Sequence, residues 1–583
     1  MLKPLSRTAL NRLTRWLSIS CLAFLTGCSG SDPATPTLTS QPMEARQADQ
    51  IMIAAAHPLA VEAGLEVLRE GGHAVDAAIA VQMVLGFIES PETGLGGGGF
   101  LLLHQVDYHH PVIYDGRETA PAAAQADRFQ WMGMQLPLAA AIPSGASIGV
   151  PGLVSMLAMA HKEHGRLPWA RLLAPAIKLA DEGLPMPLRL QKQIASDASL
   201  RLFSDTRSYY RQQAGAERPR LQNPALAATL RQLAEQGPQA FYQGPIAEKL
   251  IARVTKARWG GSDMTITDLN SYTALKRDAV CAPYREWTLC GAPPPSSGGI
   301  TVLQIMGILE HFDLGSLKPG SPEALHLVSE ASRLAFADRN TYIGDPDFVE
   351  VPTHALLDRD YLQQRALLIN PQQALANIHP GEPGKRVEMR EFELAPDAQE
   401  RGTSHFSIVD AQGNLLALTS SNEAPFGSRM LSQGFVLNNQ LTDFSFDPQL
   451  GQKPHPNAVA GGKRPRSSMA PIVVLDANGE PRLVIGSRGG SRIIGYLVKA
   501  LIGVLDWELD VQDAIALPNH LDRGLGLEIE AGTVLEQQQS ALTRLGHKVQ
   551  VVPMTSGLHG IERVDGRWRG AADPRLDGVA LGE

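Results

Sequence analysis

Gly402-Thr403-Ser404-His405-Phe406-Ser407-Ile408-Val409-Asp410 is the stretch on which the reading of this 583-residue chain turns. His405 to Asp410 alternates with the two-residue period of a strand, Ala411-Gln412-Gly413 turns, and Asn414 to Ser420 returns as a second strand. Just upstream, Gly381 to Glu400 is polar and charged, the composition of an exposed connection. Thr403 therefore heads a strand directly after a segment open to cleavage. Cutting the Gly402–Thr403 bond would give Thr403 a free α-amine beside its own hydroxyl. An α-amine has a pKa of about 8, so at neutral pH a useful fraction is free to act as general base. One residue then supplies both nucleophile and base. The same hydroxyl can make the cut, attacking the preceding carbonyl in an N-to-O acyl shift. Taken alone, Gly-Thr at a strand start is a weak signal, and an ordinary strand-capping threonine explains it better.

Outward from this point, His57 to Glu70 reads as a helix stopped by Gly71-Gly72, and Val75, Ile79, Met83 and Gly86 share one face of a second helix. Glycines from Gly94 to Gly99 run into the apolar strand Phe100-Leu101-Leu102-Leu103. Residues 152–255 are helical in pattern. Pro293-Pro294-Pro295-Ser296-Ser297-Gly298-Gly299 is a rigid turn before further helices, to about residue 370. Arg482 to Ile485 is a strand, followed by a Gly-rich turn and a helix over Ser491 to Leu505. Helices in runs around central strands point to an α/β or α+β fold.

Several blocks together resemble the γ-glutamyltransferase (γ-glutamyltranspeptidase, glutathione hydrolase) family. Thr403 to Ser407, Asp410, Gly413-Asn414, Phe426-Gly427-Ser428, Leu437-Asn438-Asn439-Gln440 and Asp443-Phe444 are similar to the core of its small subunit. Lys463-Arg464-Pro465-Arg466-Ser467-Ser468-Met469 and Gly486-Ser487-Arg488-Gly489-Gly490-Ser491-Arg492 continue the likeness. Gly71-Gly72, Ala74-Val75-Asp76-Ala77-Ala78, the glycines at 94–99, Asp115-Gly116-Arg117-Glu118 and Pro294 to Gly299 match the large subunit. The blocks keep the family's order from about residue 51 to Arg575.

The resemblance implies an α+β, four-layer αββα N-terminal-nucleophile hydrolase fold with two stacked antiparallel sheets. It implies cleavage between Gly402 and Thr403 into a large subunit, 51–402, and a small one, 403–583, that stay together as a heterodimer. The donor is a small γ-glutamyl compound of the glutathione class, and water or an amino acid or peptide is the acceptor. No cofactor and no metal is needed. Thr403 is the nucleophile and Ser421 stands where the family has a threonine touching the nucleophile's amine. Gly489 and Gly490, at a strand-to-helix turn, correspond to the oxyanion hole, where backbone N–H groups meet developing charge. Arg117 corresponds to the clamp on the donor's carboxylate, for which its planar fork is suited. Ser467 and Ser468 add hydroxyls to that group. Asp443, with Gln440 beside it, corresponds to the partner of the α-ammonium. Without the motif, Arg117 reads as an ion pair with Glu118 or Asp115, and Asp443 as a turn residue.

Departures from the family pattern bear on the substrate. Glu423 lies where many members carry asparagine near the donor's ammonium. The loop from Phe446 to Lys463 has no tyrosine and is short, which favours a more open site and hydrolysis over transfer. His73 follows the double glycine in place of asparagine and reads as a substitution at a helix start. Two rivals follow: a same-fold acylase acting on glutaryl or cephalosporin-type amides, whose donors lack the α-ammonium, and a non-catalytic surface lipoprotein.

The chain ends add a location. Lys3, Arg7, Arg12 and Arg15 precede the short apolar stretch Trp16 to Leu25, suiting a signal peptide over residues 1–27. Leu25-Thr26-Gly27-Cys28 resembles a lipoprotein lipobox, implying lipidation at Cys28, export to the periplasm and a lipid anchor in the outer membrane. Residues 28–50 read as a flexible tether. Cys281 and Cys290 flank a hairpin-like segment and either pair or remain buried thiols. A formal charge of −8 without basic stretches gives no support to nucleic-acid binding.

Overall fold

A computed structural model of the chain describes residues 45–108, 110–384 and 402–583. The leader, Cys28, the first part of the tether and most of the Gly381–Glu400 connection lie outside the described residues. The strands that carry the fold are β1 (Arg46–Ala48), β2 (Met52–Ala55), β3 (Gly98–His104), β4 (Val112–Asp115), β5 (Leu275–Asp278), β6 (Val280–Tyr284), β7 (Trp287–Gly291), β8 (Gly402–Val409), β9 (Leu415–Glu423), β10 (Ile472–Leu475), β11 (Pro481–Gly486), β12 (His559–Val564), β13 (Arg567–Ala572) and β14 (Val579–Gly582). They form two seven-stranded sheets, in the orders β14-β2-β8-β9-β3-β4-β5 and β1-β13-β12-β11-β10-β7-β6. Every pairing within them is antiparallel.

The layering follows from strand period. Met52, Ala54, Phe100, Leu102, Leu415 and Ala417 face a core shared with Val473, Val484, Ile561 and Trp568 of the opposite sheet. Their neighbours Ile53, Ala55, Leu101, Leu103, Leu416 and Leu418 face outward beneath helices α1 (Pro58–Arg69) and α2 (Ala74–Ile88). On the other side Ile472, Val474, Leu483 and Ile485 pack under three further helices. Numbered after α3 (Leu188–Ser196), these are α4 (Gly298–Leu309), α5 (Pro322–Tyr342) and α6 (Arg492–Leu505). Both faces of each sheet are apolar, so each must be covered twice. The result is the αββα arrangement that the resemblance implied.

His73 caps α2: its ring accepts the Val75 N–H while Asp76 accepts the His73 N–H. This is the helix-start role predicted for it. Cys281 and Cys290 are cross-strand neighbours on β6 and β7, joined as a disulfide. The tether is shorter than predicted. Arg46–Ala48 pairs with Trp568–Gly570 on β13, and the Asp49, Gln50 and Ile51 amides all donate to the Glu583 carbonyl. Backbone pairing at a sheet edge satisfies this polar segment in a way its composition does not announce. No helix among the described residues is long and apolar enough to cross a membrane.

The glycines before β3 allow close approach. A Cβ on Gly97 would stand 2.3 Å from the Ser421 carbonyl, and one on Gly98 would stand 2.4 Å from that of Gly116. The central strand β9 and the turn carrying Arg117 are thereby drawn to the same end of the sheet.

Candidate active site

Thr403 sits at the start of central strand β8, on the inward side shared by His405 and Ser407, and is 3% exposed. In this uncut chain its hydroxyl donates to Ser421 Oγ at 3.3 Å, and Ser421 Oγ donates to the Gly402 carbonyl at 2.5 Å. The Glu423 amide donates to Ser421 Oγ at 2.8 Å. Ser421 thus accepts twice and spends its one proton on the carbonyl of the bond to be cut. The β8–β9 register shifts between Gly402 and Ser404, where the strand ladder gives way to this side-chain contact.

Arg117 follows β4 and is fully buried. Its amide is fixed by Asp115 Oδ1 at 2.8 Å. Its guanidinium donates to the Pro465 carbonyl at 3.0 Å, the Arg466 carbonyl at 3.1 Å, Asp443 Oδ2 at 2.5 Å, Glu118 Oε2 at 3.5 Å, and Gln440 Oε1. Gln440 and Asp443, grouped with Arg117 from the sequence, therefore both contact it, and so does Glu118, the partner read from the sequence without the motif. All five donors of the fork are engaged within the protein. Burial pushes the Glu118 carboxyl up to about 8 against the pull of Arg117.

Ser467 Oγ accepts the Met469 N–H, and Ser468 Oγ accepts Arg339 Nη2 at 2.7 Å, which leaves the Ser468 proton to be donated. Glu423 ends β9 with φ at +81° and takes a hydrogen bond from Asn439 Nδ2 at 2.8 Å. Gly489 and Gly490, between β11 and α6, have φ values of +125° and +61°, which side-chain-bearing residues rarely adopt.

These groups surround one cavity of about 290 Å³. Its wall includes Thr403, Ser421, Glu423, Gln440, Asp443, Arg117, Ser467, Ser468 and Gly490. Gly489 is not in the wall; a Cβ there would lie 2.8 Å from the Tyr496 ring. The loop after Phe444 borders the cavity through Phe446, Asp447, His455 and Asn457. Sequence reasoning missed Arg339, which reaches the cavity from α5, and Glu92, which lies behind the Gly402–Thr403 peptide. Neither carries a local motif. His326, Glu330 and His547 cluster elsewhere, but Arg333 and the Leu375 amide occupy both Glu330 oxygens and the two rings bond each other at 2.7 Å. That trio is a satisfied polar network as it stands.

Known proteins resemble the chain over most of its length. Residues 60–583 match the gamma-glutamyltranspeptidase family. The chain is 34% identical over 548 residues to a glutathione hydrolase proenzyme of Bacillus subtilis, covering 91% of each. Among solved structures, a cephalosporin acylase from Bacillus halodurans aligns with a TM-score of 0.82 at 27% identity, covering 95% of this chain and 99% of its own. The gamma-glutamyltranspeptidase of Helicobacter pylori aligns with a TM-score of 0.53 at 33% identity, covering 57% of this chain and 96% of its own. On a match running nearly the whole length of the chain, this protein belongs to the gamma-glutamyltranspeptidase family.

Proposed function

We propose that the chain is a self-processing γ-glutamyl hydrolase and transferase that acts on glutathione and related γ-glutamyl amides. The observation carrying this is the meeting of Thr403, Ser421 and the Gly402 carbonyl at one wall of a cavity whose other wall pairs a buried arginine with a carboxylate. In the first stage the Thr403 hydroxyl attacks the Gly402 carbonyl, which Ser421 already polarises. The cut releases residues 403–583 as a small subunit interlocked with the large one. Support comes from the printed name of the Bacillus subtilis relative, a proenzyme. The solved Helicobacter pylori chain, nearly all of it aligned, also spans little more than half of this one.

In the second stage the new α-amine takes the Thr403 hydroxyl proton and Oγ attacks the donor's γ-amide carbonyl. The developing oxyanion lies toward the Gly489-Gly490 turn. The amine returns the proton to the leaving group, and water or an amino acid then resolves the acyl-enzyme. The donor's α-carboxylate displaces Asp443 from Arg117 and takes hydroxyl donation from Ser467 and Ser468; the displaced Asp443, with Gln440 and Glu423, receives the α-ammonium. An exchange of this kind answers the fully engaged state of Arg117, because the donor brings both charges at once. The chain is exported, and Cys28 carries a lipid anchor to the outer membrane.

Parallel assays of γ-glutamyl-p-nitroanilide and glutaryl-p-nitroanilide test the reading. Higher kcat/KM on the γ-glutamyl compound, lost in Thr403→Ala, is expected. Preference for the glutaryl compound would make the chain an acylase on the same scaffold, and no turnover of either with an uncut chain would make it a non-catalytic lipoprotein.

A further inference from the structure

Glu92 lies in the turn after α2 and is 1% exposed. Its position is held by backbone bonds from the Asn422 N–H to the Glu92 carbonyl and from the Phe426 N–H to the Pro91 carbonyl, which tie the turn to the end of β9. Its two carboxylate oxygens are treated very differently. Oε1 collects Arg189 Nη2 at 2.9 Å, Gln193 Nε2 at 2.6 Å and Arg488 Nη2 at 3.1 Å. Oε2 is buried without a well-formed hydrogen bond. It faces the Gly402–Thr403 peptide: a Cβ on Gly402 would stand 2.7 Å from it, and the Thr403 N–H points at the carboxylate. A buried carboxylate oxygen left this way destabilises the fold, which calls for a reason.

We infer that Glu92 is the proton donor of self-cleavage, delivering a proton from Oε2 to the Thr403 nitrogen as the Gly402–Thr403 bond breaks. The inference rests on the reading that the chain is cut at that bond. Attack and departure need opposite proton traffic. When Thr403 Oγ bonds to the Gly402 carbon, its proton passes to Ser421, whose own proton moves to the carbonyl oxygen. As attack makes the nitrogen pyramidal, its N–H turns away from Glu92 and its lone pair turns toward Oε2, and when the C–N bond breaks the nitrogen takes a proton from Glu92. The hydroxyl on the tetrahedral carbon gives its proton through Ser421 to the cavity as the carbonyl re-forms, so one proton enters at nitrogen and one leaves at oxygen, and Glu92 takes up a proton from solvent after the cut. The products are an ester on Thr403 Oγ and a free amine; water hydrolyses the ester to the Gly402 carboxylate and the Thr403 hydroxyl. Ser421 serves the oxygen side of the bond and Glu92 the nitrogen side.

Charge around Glu92 fits the task. Burial holds its carboxyl above the usual range, opposed chiefly by Arg189 of α3. Arg488, from the turn after β11, also contacts it, and Glu89, on its own turn, adds like charge. Tyr210 stands nearby. The acid form is therefore present further up the pH scale than for an ordinary glutamate, and cleavage slows as pH rises through that raised value.

The test is the rate of fragment appearance on denaturing gels from freshly refolded precursor, between pH 5 and 9, for wild type, Glu92→Gln and Glu92→Asp. A general acid contributes on the order of 100-fold or more. Glu92→Gln is expected to be slower by at least that factor and flat with pH. Glu92→Asp is expected to keep the pH-dependent fall at a reduced rate. Glu92→Gln cleaving within twofold of wild type overturns the inference while leaving cleavage at Thr403 intact; a wild-type chain that is never cut overturns both. Should Glu92→Gln fail to fold, as judged by its thermal melt, the wild-type profile alone decides. A fall with rising pH together with a solvent isotope effect supports Glu92, and a flat profile refutes it.

Discussion

Ser421→Ala perturbs the account where it is most exposed. The side chain donates to the Gly402 carbonyl at 2.5 Å, and accepts from the Thr403 hydroxyl at 3.3 Å and the Glu423 amide at 2.8 Å. Alanine leaves all three groups buried and short of a partner. Leaving a buried polar group unsatisfied costs about 1–3 kcal/mol, and local relaxation recovers part of the sum, so a stability loss of about 3 kcal/mol is expected. The kinetic effect is separate. Removing one donor aimed at a developing oxyanion slows a reaction by about 100- to 1000-fold, or about 3–4 kcal/mol of barrier. Stability is measured by urea unfolding in the uncut Thr403→Ala background with and without Ser421→Ala, which keeps cleavage out of the comparison; there only the Gly402 carbonyl and the Glu423 amide lose a partner, and about 2 kcal/mol of the loss is expected. The rate is measured from fragment appearance in refolded precursor. Ser421→Thr, which keeps the hydroxyl, is expected to stay within tenfold of wild type. If Ser421→Ala is cut with the wild-type half-life, the hydroxyl relay is wrong, however good the distances look.

Other changes test other parts of the site. Arg117→Lys replaces a five-donor fork with an ammonium that cannot serve the Pro465 and Arg466 carbonyls, Asp443 and Gln440 together. A kcat/KM loss of about 100-fold or more on γ-glutamyl anilide is expected from steady-state kinetics, carried mainly by KM. Gly489→Ala forces a side chain into φ +125° and to 2.8 Å from the Tyr496 ring, so a melting experiment is expected to show about 2–4 kcal/mol of destabilisation, with turnover falling as the turn moves. Glu118 keeps its proton up to about pH 8 when folded, whereas the unfolded chain loses it near 4.5. The folded state therefore binds more protons across that window, and stability falls as pH rises from 4.5 to 8, then levels off. Glu118→Gln is expected to flatten that part of the urea-midpoint profile, removing a change worth on the order of 5 kcal/mol.

Much of this was readable in advance, for identifiable reasons. β8 was legible from its alternation and β3 from the apolar run after its glycines, whereas which face of β3 and β9 looks inward is decided by packing, since both faces are apolar. α2 and α6 show their ends through His73 and the Gly489-Gly490-Ser491 turn. Arg117, Gln440 and Asp443 were legible as a set only because the family's blocks occur in order, since they are more than 300 positions apart between Arg117 and Asp443. Glu92 was not legible. Its meaning comes from facing a peptide bond more than 300 positions away, and no periodicity or spacing encodes that contact. Arg339 lies in a helix buried on nearly every side and reads as one more core-facing turn until Ser468 is placed against it. Arg46–Ala48 looked like tether because its residues are polar and small, while its order comes from the edge of β13.

The central claim is that Thr403 passes from the interior of one chain to the beginning of another and works from there. N-terminal sequencing of the smaller fragment from purified, exported protein tests it most directly. A fragment beginning Thr403-Ser404-His405-Phe406, absent in Thr403→Ala together with γ-glutamyl anilide turnover, is the expected result. An uncut chain that still hydrolyses γ-glutamyl anilide, or a fragment beginning elsewhere, would contradict it.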